Sequence, residues 1–261
     1  MAGSGICDGS DPAKWRESPA RRTVGPFDSA RGDPKTVTTP PLQALLFHLD
    51  GTLADTLEDI AAAANSALDE LGRAEIPLER IRGYVGRGAR RLMRCCLAED
   101  GHTIDEDDLD SALQTFVAVY REHPVGHTTF YDGMLELIEE NGLACAVVSN
   151  KPGDLCRTIL SKLDVSEKFG AIIGDGDTPD RKPAPTPFLA ALEALKVDPA
   201  NAMVIGDGLP DLRGAKAAGI RSCAVTWGYG EEDELLAEEP DVVVASVSEL
   251  AALLADRSTT A

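Results

Sequence analysis

The chain has 261 residues, 43% hydrophobic and 26% charged, with a formal net charge of −19. That length suits one large domain, or a core domain with a smaller module. It holds no run of about 18 apolar residues that would span a membrane, and its charge disfavours nucleic acid and anionic membranes as partners. The same charge repels a phosphate ester at long range. A phosphate site here must therefore bring its own positive charge, from lysine, main-chain N–H groups or a metal.

Residues 1–40 have little apolar periodicity and many Gly, Pro, Ser and Arg. They are expected to form a disordered tail. A transit peptide is the alternative, and the acids Asp8, Asp11, Glu17, Asp28 and Asp33 argue against it. No apolar stretch of secretory type opens the chain. Cys7, Cys95, Cys96, Cys145, Cys156 and Cys223 form no CxxC pair. Reduced thiols and the cytoplasm are the expectation.

From Pro41 onward, short continuously apolar runs alternate with amphipathic stretches. Residues 43–49, 143–149, 170–174, 202–206, 221–226 and 241–246 read as strands of a parallel sheet covered on both faces. Helical patterns follow at Leu155–Leu163, Phe188–Leu195 and 209–218, the last ending at Gly219. This alternation predicts an α/β fold, a Rossmann-like doubly wound parallel sheet. The long interval between Asp50 and Leu143 shows no strand pattern. Leu57–Leu71, Arg87–Leu97 and Leu109–Tyr120 read as helices there, so an all-helical cap is expected over 57–128. The core is then 41–56 and 129–261. Ligands of open α/β sheets bind at the carboxyl ends of the strands, and a helical insert leaving that edge would cover the crevice.

Four polar clusters fall at or beside those ends: His48 and Asp50 with Gly51 and Thr52; Ser149, Asn150 and Lys151; Lys182 with Pro183; and Asp207 with Asp211. Each is weak alone, but their order is specific. FHLDGTLADT, VVSNKP, RKPAPTP and VIGDGLPDLRGAKAAG resemble the four motifs of the haloacid dehalogenase-type phosphatases, and the likeness runs from about Leu45 to Ser248. YVGRGARRLM and FYDGMLELIEENGLACAVVSNKP are similar to the phosphoglycolate phosphatase branch, which carries a helical cap. The resemblance implies a phosphomonoester hydrolase that uses Mg²⁺ on a small phosphorylated metabolite. A phosphate dianion resists nucleophilic attack until its charge is neutralised. By resemblance Asp50 is the general acid and base, with Thr52 able to orient it, and Lys182 and Ser149 hold phosphate with Thr52 and Asn150 nearby. Position 48, the Asp50 carbonyl and Asp207 hold the metal, and Asp211 braces Lys182. Asp207 and Asp211 can also cap the following helix.

Residue 48 departs from this pattern. The family places its nucleophilic aspartate there, and this chain has His48. Imidazole can attack phosphorus, but about 1 Å of misplacement costs on the order of 100-fold, and Mg²⁺ prefers oxygen ligands. An impaired enzyme and an inactive phosphatase-like module that binds a phosphorylated metabolite or a protein partner both remain open. In the cap, Arg82, Arg87, Arg90, Arg91 and Arg94 form a basic patch. Arg87, between two glycines, is its best candidate for holding a substrate carboxylate. The remaining arginines read as a solvated helix face, and the acids from Glu99 to Asp110 as a loop entering a helix N-terminus. His102, His123 and His127 have no assigned role.

Overall fold

The structure, a computed structural model, describes residues 40–258 except 100, 102 and 103. The tail expected over 1–40 lies outside the described residues but for Pro40, as do Asp100 and His102.

The chain runs β1 (Ala44–Phe47), β2 (Ala54–Asp55), α1 (Leu57–Glu70), α2 (Leu78–Arg82), α3 (Ala89–Ala98), α4 (Glu106–Glu122), β3 (Thr129–Phe130), α5 (Met134–Glu140), β4 (Ala144–Pro152), α6 (Gly153–Lys162), β5 (Ala171–Asp175), α7 (Thr186–Leu195), β6 (Ala202–Gly206), α8 (Leu209–Ala218), β7 (Arg221–Val225), α9 (Glu232–Ala237), β8 (Val242–Val244) and α10 (Val247–Ser258). Six strands form one parallel sheet in the order β5-β4-β1-β6-β7-β8. Side chains alternate across it as a pleat requires. Leu45, Phe47, Cys145, Val147, Met203 and Ile205 belong to one apolar layer. Ala44, Leu46, Ala146, Val148, Ala202 and Val204 belong to the other, against Phe188 and Leu192 of α7 and Ala215 of α8. Both faces are thus dry, which is why these strands carry unbroken apolar runs. No described helix is long and apolar enough to cross a membrane.

Order along the sheet positions the site. β1 is central, with β4 on one side and β6 on the other. The loops leaving these three strands therefore meet at one edge, where the connections turn to opposite sides.

Between β1 and β4 the chain departs from the expected pattern. The interval expected to hold no strand contains β2 and β3, an antiparallel pair through Ala54–Phe130 and Asp55–Thr129. Two residues per strand are too few for a periodicity to register in sequence. Beyond this ribbon lie α1, α3 and α4, as expected, with the short α2 added. Asp105 caps α4, accepting from the Asp107 N–H at 3.0 Å, and the acidic run fills that helix's first turn.

One buried carboxylate ties the two ends of this helical segment together. Asp59, on α1, is 5% exposed. It accepts from the N–H groups of Gly126, His127 and Thr128 at 2.9–3.1 Å and from the Thr128 hydroxyl at 2.6 Å. Burial alone would raise its pKa, but these donors hold it below the usual value of 3.8. A depressed carboxyl pKa stabilises the fold fully above the unfolded value, and this contribution is lost as pH falls through the folded one. Asp59→Ala is expected to lower stability by about 3 kcal/mol at neutral pH, since several charge-assisted hydrogen bonds go. In urea titrations the gap to the native chain should narrow between pH 5 and pH 3. A gap of equal size at both values would contradict this account.

Candidate active site

β1 ends into a sharp turn. Gly51 has φ +80°, and a Cβ there would lie 2.4 Å from Asp207 Oδ2, so no other residue fits. The turn spends its own amides, with Gly51 N–H donating to Ala54 O at 2.9 Å and Thr52 N–H to Leu49 O at 3.3 Å. It carries His48, Asp50 and Thr52 into the crevice, all buried. The end of β4 brings Ser149, Asn150 and Lys151, the segment before α7 brings Lys182, and the β6–α8 junction brings Asp207 and Asp211; these too are buried.

Lys182 is the hub. Its ammonium donates to Val148 O at 2.7 Å and to Asp211 Oδ1 at 2.6 Å, and it lies 3.1 Å from His48 Nδ1. Three donors are all that an ammonium has. This arrangement makes Nδ1 an acceptor and leaves the imidazole N–H on Nε2. Asp211 Oδ2 also takes the Gly208 N–H at 3.2 Å, so Asp211 caps α8 and pairs with Lys182 at once.

Asp207 is held on both oxygens, by the Thr52 hydroxyl at 2.7 Å and the Tyr229 N–H at 2.8 Å. Thr52 was expected beside Asp50. It serves Asp207 instead, and Thr56 takes that place, donating to Asp50 Oδ1 at 2.7 Å. Burial pushes the Asp207 carboxyl up and Asp211 adds to this, against the hydrogen bonds from Tyr229 and Thr52. His48, Asp207 and Asp211 each offer a ligand atom, all within 4.8 Å of one another. Two carboxylates in this state suit a divalent cation. The imidazole matches Mg²⁺ less well than the carboxylate it replaces, and its Nδ1 already meets Lys182.

Asp50 pairs with Lys151, whose ammonium lies 2.7 Å from Asp50 Oδ1. Burial alone would raise the Asp50 pKa, but Lys151, with the Thr56 hydroxyl also donating, pulls it below the usual carboxylate range. Burial alone would lower that of Lys151, but Asp50 and Tyr120 hold it above the usual lysine range. Lys151 also donates to the Tyr120 hydroxyl of α4 and lies 4.2 Å from the centre of its ring. Asn150 donates to Gly86 O at 3.3 Å and Lys182 O at 3.2 Å, whereas its Oδ1 is buried with no protein donor. Ser149 Oγ accepts from Lys151 N at 3.1 Å.

A small cavity of about 40 Å³, open at its mouth, adjoins His48 and Asp50. Lys151, Asn150 and Tyr120 line it, with Gly86 and Gly88 from the helical segment. Arg87, the expected cation, does not. It is half exposed and 4.0 Å from Glu234. Arg90 and Arg94 pair with Glu106 at the surface. Lys151 was missed although it stood in the second cluster, because that position read as a loop and β4 in fact continues to Pro152. Tyr229 was missed outright. Its only signal was the flanking glycines, and Gly228 is needed because a Cβ would lie 2.3 Å from that of Asp207.

A family model for haloacid dehalogenase-like hydrolases matches residues 45–225. The phosphoglycolate phosphatase of Neisseria meningitidis is 34% identical over 216 residues, 80% of this chain and 92% of its own length. That of Aquifex aeolicus is 34% identical over 220 residues, 82% of this chain and 97% of its own. The crystal structure of CbbY from Rhodobacter sphaeroides in complex with phosphate superposes with a TM-score of 0.64 at 26% identity, covering 80% of this chain and 96% of that one. The chain belongs to the haloacid dehalogenase-like hydrolases, within the phosphoglycolate phosphatase-like branch of phosphoric-monoester hydrolases.

Lys182 and Asp211 have side chains 1% and 2% exposed, so neither tolerates loss of the other. Lys182→Met is expected to cost about 3–5 kcal/mol in urea unfolding. Adding Asp211→Asn should restore part of that, as the coupling in a double-mutant cycle. Strict additivity would show that the pair is not a unit.

Proposed function

We propose that this chain binds a small phosphomonoester with a divalent cation and hydrolyses it slowly, His48 being the reason for the low rate. The observation that carries the reading is the meeting of Asp50, Lys182, Asp207 and Asp211, all buried, at one edge of the sheet beside a cavity. The phosphoglycolate phosphatases among its relatives support a small phosphorylated metabolite as substrate. The five described cysteines are buried thiols, in keeping with a cytoplasmic setting.

Asp207 and the main-chain carbonyl of Asp50 would hold the cation, joined by His48 only once its Nδ1 is released from Lys182. When bound, the cation would neutralise phosphate charge. Lys182 adds positive charge, and the Ser149 hydroxyl can donate to the anion's oxygens from the end of β4, while both Asn150 amide N–H groups go to Gly86 O and Lys182 O and shape the site around it. Asp50 serves the leaving oxygen and then the water, within reach of both Thr56 and Lys151. Held ionised by Lys151, it favours the base half of that role.

His48 is poorly set to attack. Its Nδ1 lone pair meets Lys182 at 3.1 Å, and Nε2 then carries the proton. A ring flip, or release from Lys182, has to precede attack on phosphorus. The same contact favours a second reading, in which the chain binds a phosphorylated ligand without turnover.

His48→Asp is expected to raise hydrolysis of an aryl phosphate in Mg²⁺ by on the order of 100-fold. Equal rates for the two chains would remove the argument about residue 48. If neither chain turns over but inorganic phosphate binds in calorimetry, the second reading stands. Absence of phosphate binding in both would end both readings.

A further inference from the structure

We propose that Arg82 is a positioning residue for the cation site: from the end of α2 it pins the loop 227–230, and that loop holds Asp207. The inference rests on the cation-assisted reading above and goes beyond it, since it gives a role to a side chain that touches neither cation nor phosphate.

Arg82 is half-buried at the last position of α2. Its guanidinium donates to Gly228 O, and its Cζ lies over the Tyr229 ring, 5.7 Å from the centre. A planar guanidinium can do both at once, with donors along its edge and a face for the ring. Arg90 and Arg94 pair with carboxylates inside the helical segment, whereas Arg82 reaches out of it.

The loop it grips serves two carboxylates. Tyr229 N–H donates to Asp207 Oδ2 at 2.8 Å. The Tyr229 hydroxyl accepts from Thr56 N–H at 2.7 Å and donates to Asp55 Oδ1 at 2.8 Å. Thr56 in turn donates to Asp50 Oδ1 at 2.7 Å. Beside it, Trp227 Nε1 donates to Thr52 O at 3.2 Å, and Thr52 holds the other oxygen of Asp207. Gly228 and Gly230 flank Tyr229 because the main chain runs so close to Asp207 that neither position has room for a Cβ. Those glycines leave the backbone free to move, so the loop's order has to come from outside contacts. Arg82 supplies one on the side away from Asp207. Groups that hold a metal ligand in place commonly govern affinity as much as the ligand's own chemistry does.

The sign of the effect separates this role from simple charge. Arg82 is a cation, and by Coulomb's law alone its removal would tighten binding of another cation nearby. Removal of a positioning group weakens it.

The test uses Mn²⁺ with the full chain, the unbound ion being read by electron paramagnetic resonance on protein shown folded by circular dichroism. The native chain should bind a Mn²⁺ ion that Asp207→Asn loses. Arg82→Ala should weaken that binding about tenfold. Arg82→Lys keeps the charge and a donor but not the planar face, and should weaken it about threefold. Arg90→Ala, which removes a surface arginine of the same segment, should stay within about twofold of native. Affinity in Arg82→Ala equal to or tighter than native would overturn the role, and so would an equal loss in Arg90→Ala. Should Arg82→Ala fail to fold, Arg82→Lys decides, and native affinity there overturns it. Mn²⁺ binding that Asp207→Asn leaves unchanged would instead overturn the cation reading, and the positioning role with it.

Discussion

The buried ammonium of Lys182 is the interaction on which the rest of the site depends. Asp50, Asp207 and Asp211 converge at the carboxyl edge of the sheet, each with almost no exposed surface. An isolated carboxylate in such a place would take up a proton or unfold its surroundings. Lys182 holds Asp211, Lys151 holds Asp50, and Asp207 has only neutral donors, Thr52 and the Tyr229 amide. The least compensated carboxylate is therefore the one whose pKa is raised. That is the physical case for a cation beside Asp207, made from the protein's own charges and independent of any likeness to other proteins.

Topology explains why those charges meet. β1 lies between β4 and β6, so residues far apart in sequence arrive at neighbouring strand ends. Thr52 reaches Asp207 across 155 residues, and Lys182 reaches His48 across 134. Short, continuously apolar runs announced the strands, and the order of the polar clusters announced the edge at which they gather. That much was legible because the sheet is covered on both faces and the strands could carry nothing else. The β2–β3 ribbon was not legible, since two-residue strands have no period. Pairings among side chains were not legible either. Thr52 and Thr56 stand four apart in one short segment, and only the backbone path of the turn decides which serves Asp50 and which Asp207. Arg87 stood out as the substrate cation in the sequence, and Lys151 did not. Burial separates them: the lysine is enclosed by the end of β4 and by α4, and the arginine faces solvent near Glu234.

Residue 48 pulls binding and chemistry in opposite directions. An aspartate there would add another negative charge to the cluster. Two unit charges about 4 Å apart at an effective dielectric of about 20 repel by on the order of 4 kcal/mol. Replacing a carboxylate by an imidazole removes that repulsion toward an incoming phosphate dianion, so the anion's approach is eased. The same replacement removes an oxygen nucleophile and offers Lys182 a nitrogen acceptor in its place. Attack then requires breaking a contact with the group that also has to receive the phosphate. Binding gains from the exchange, and the bond-making step loses. On the proposed reading, a chain with every other charged group of the edge intact is therefore better suited to hold a phosphoester than to cleave it.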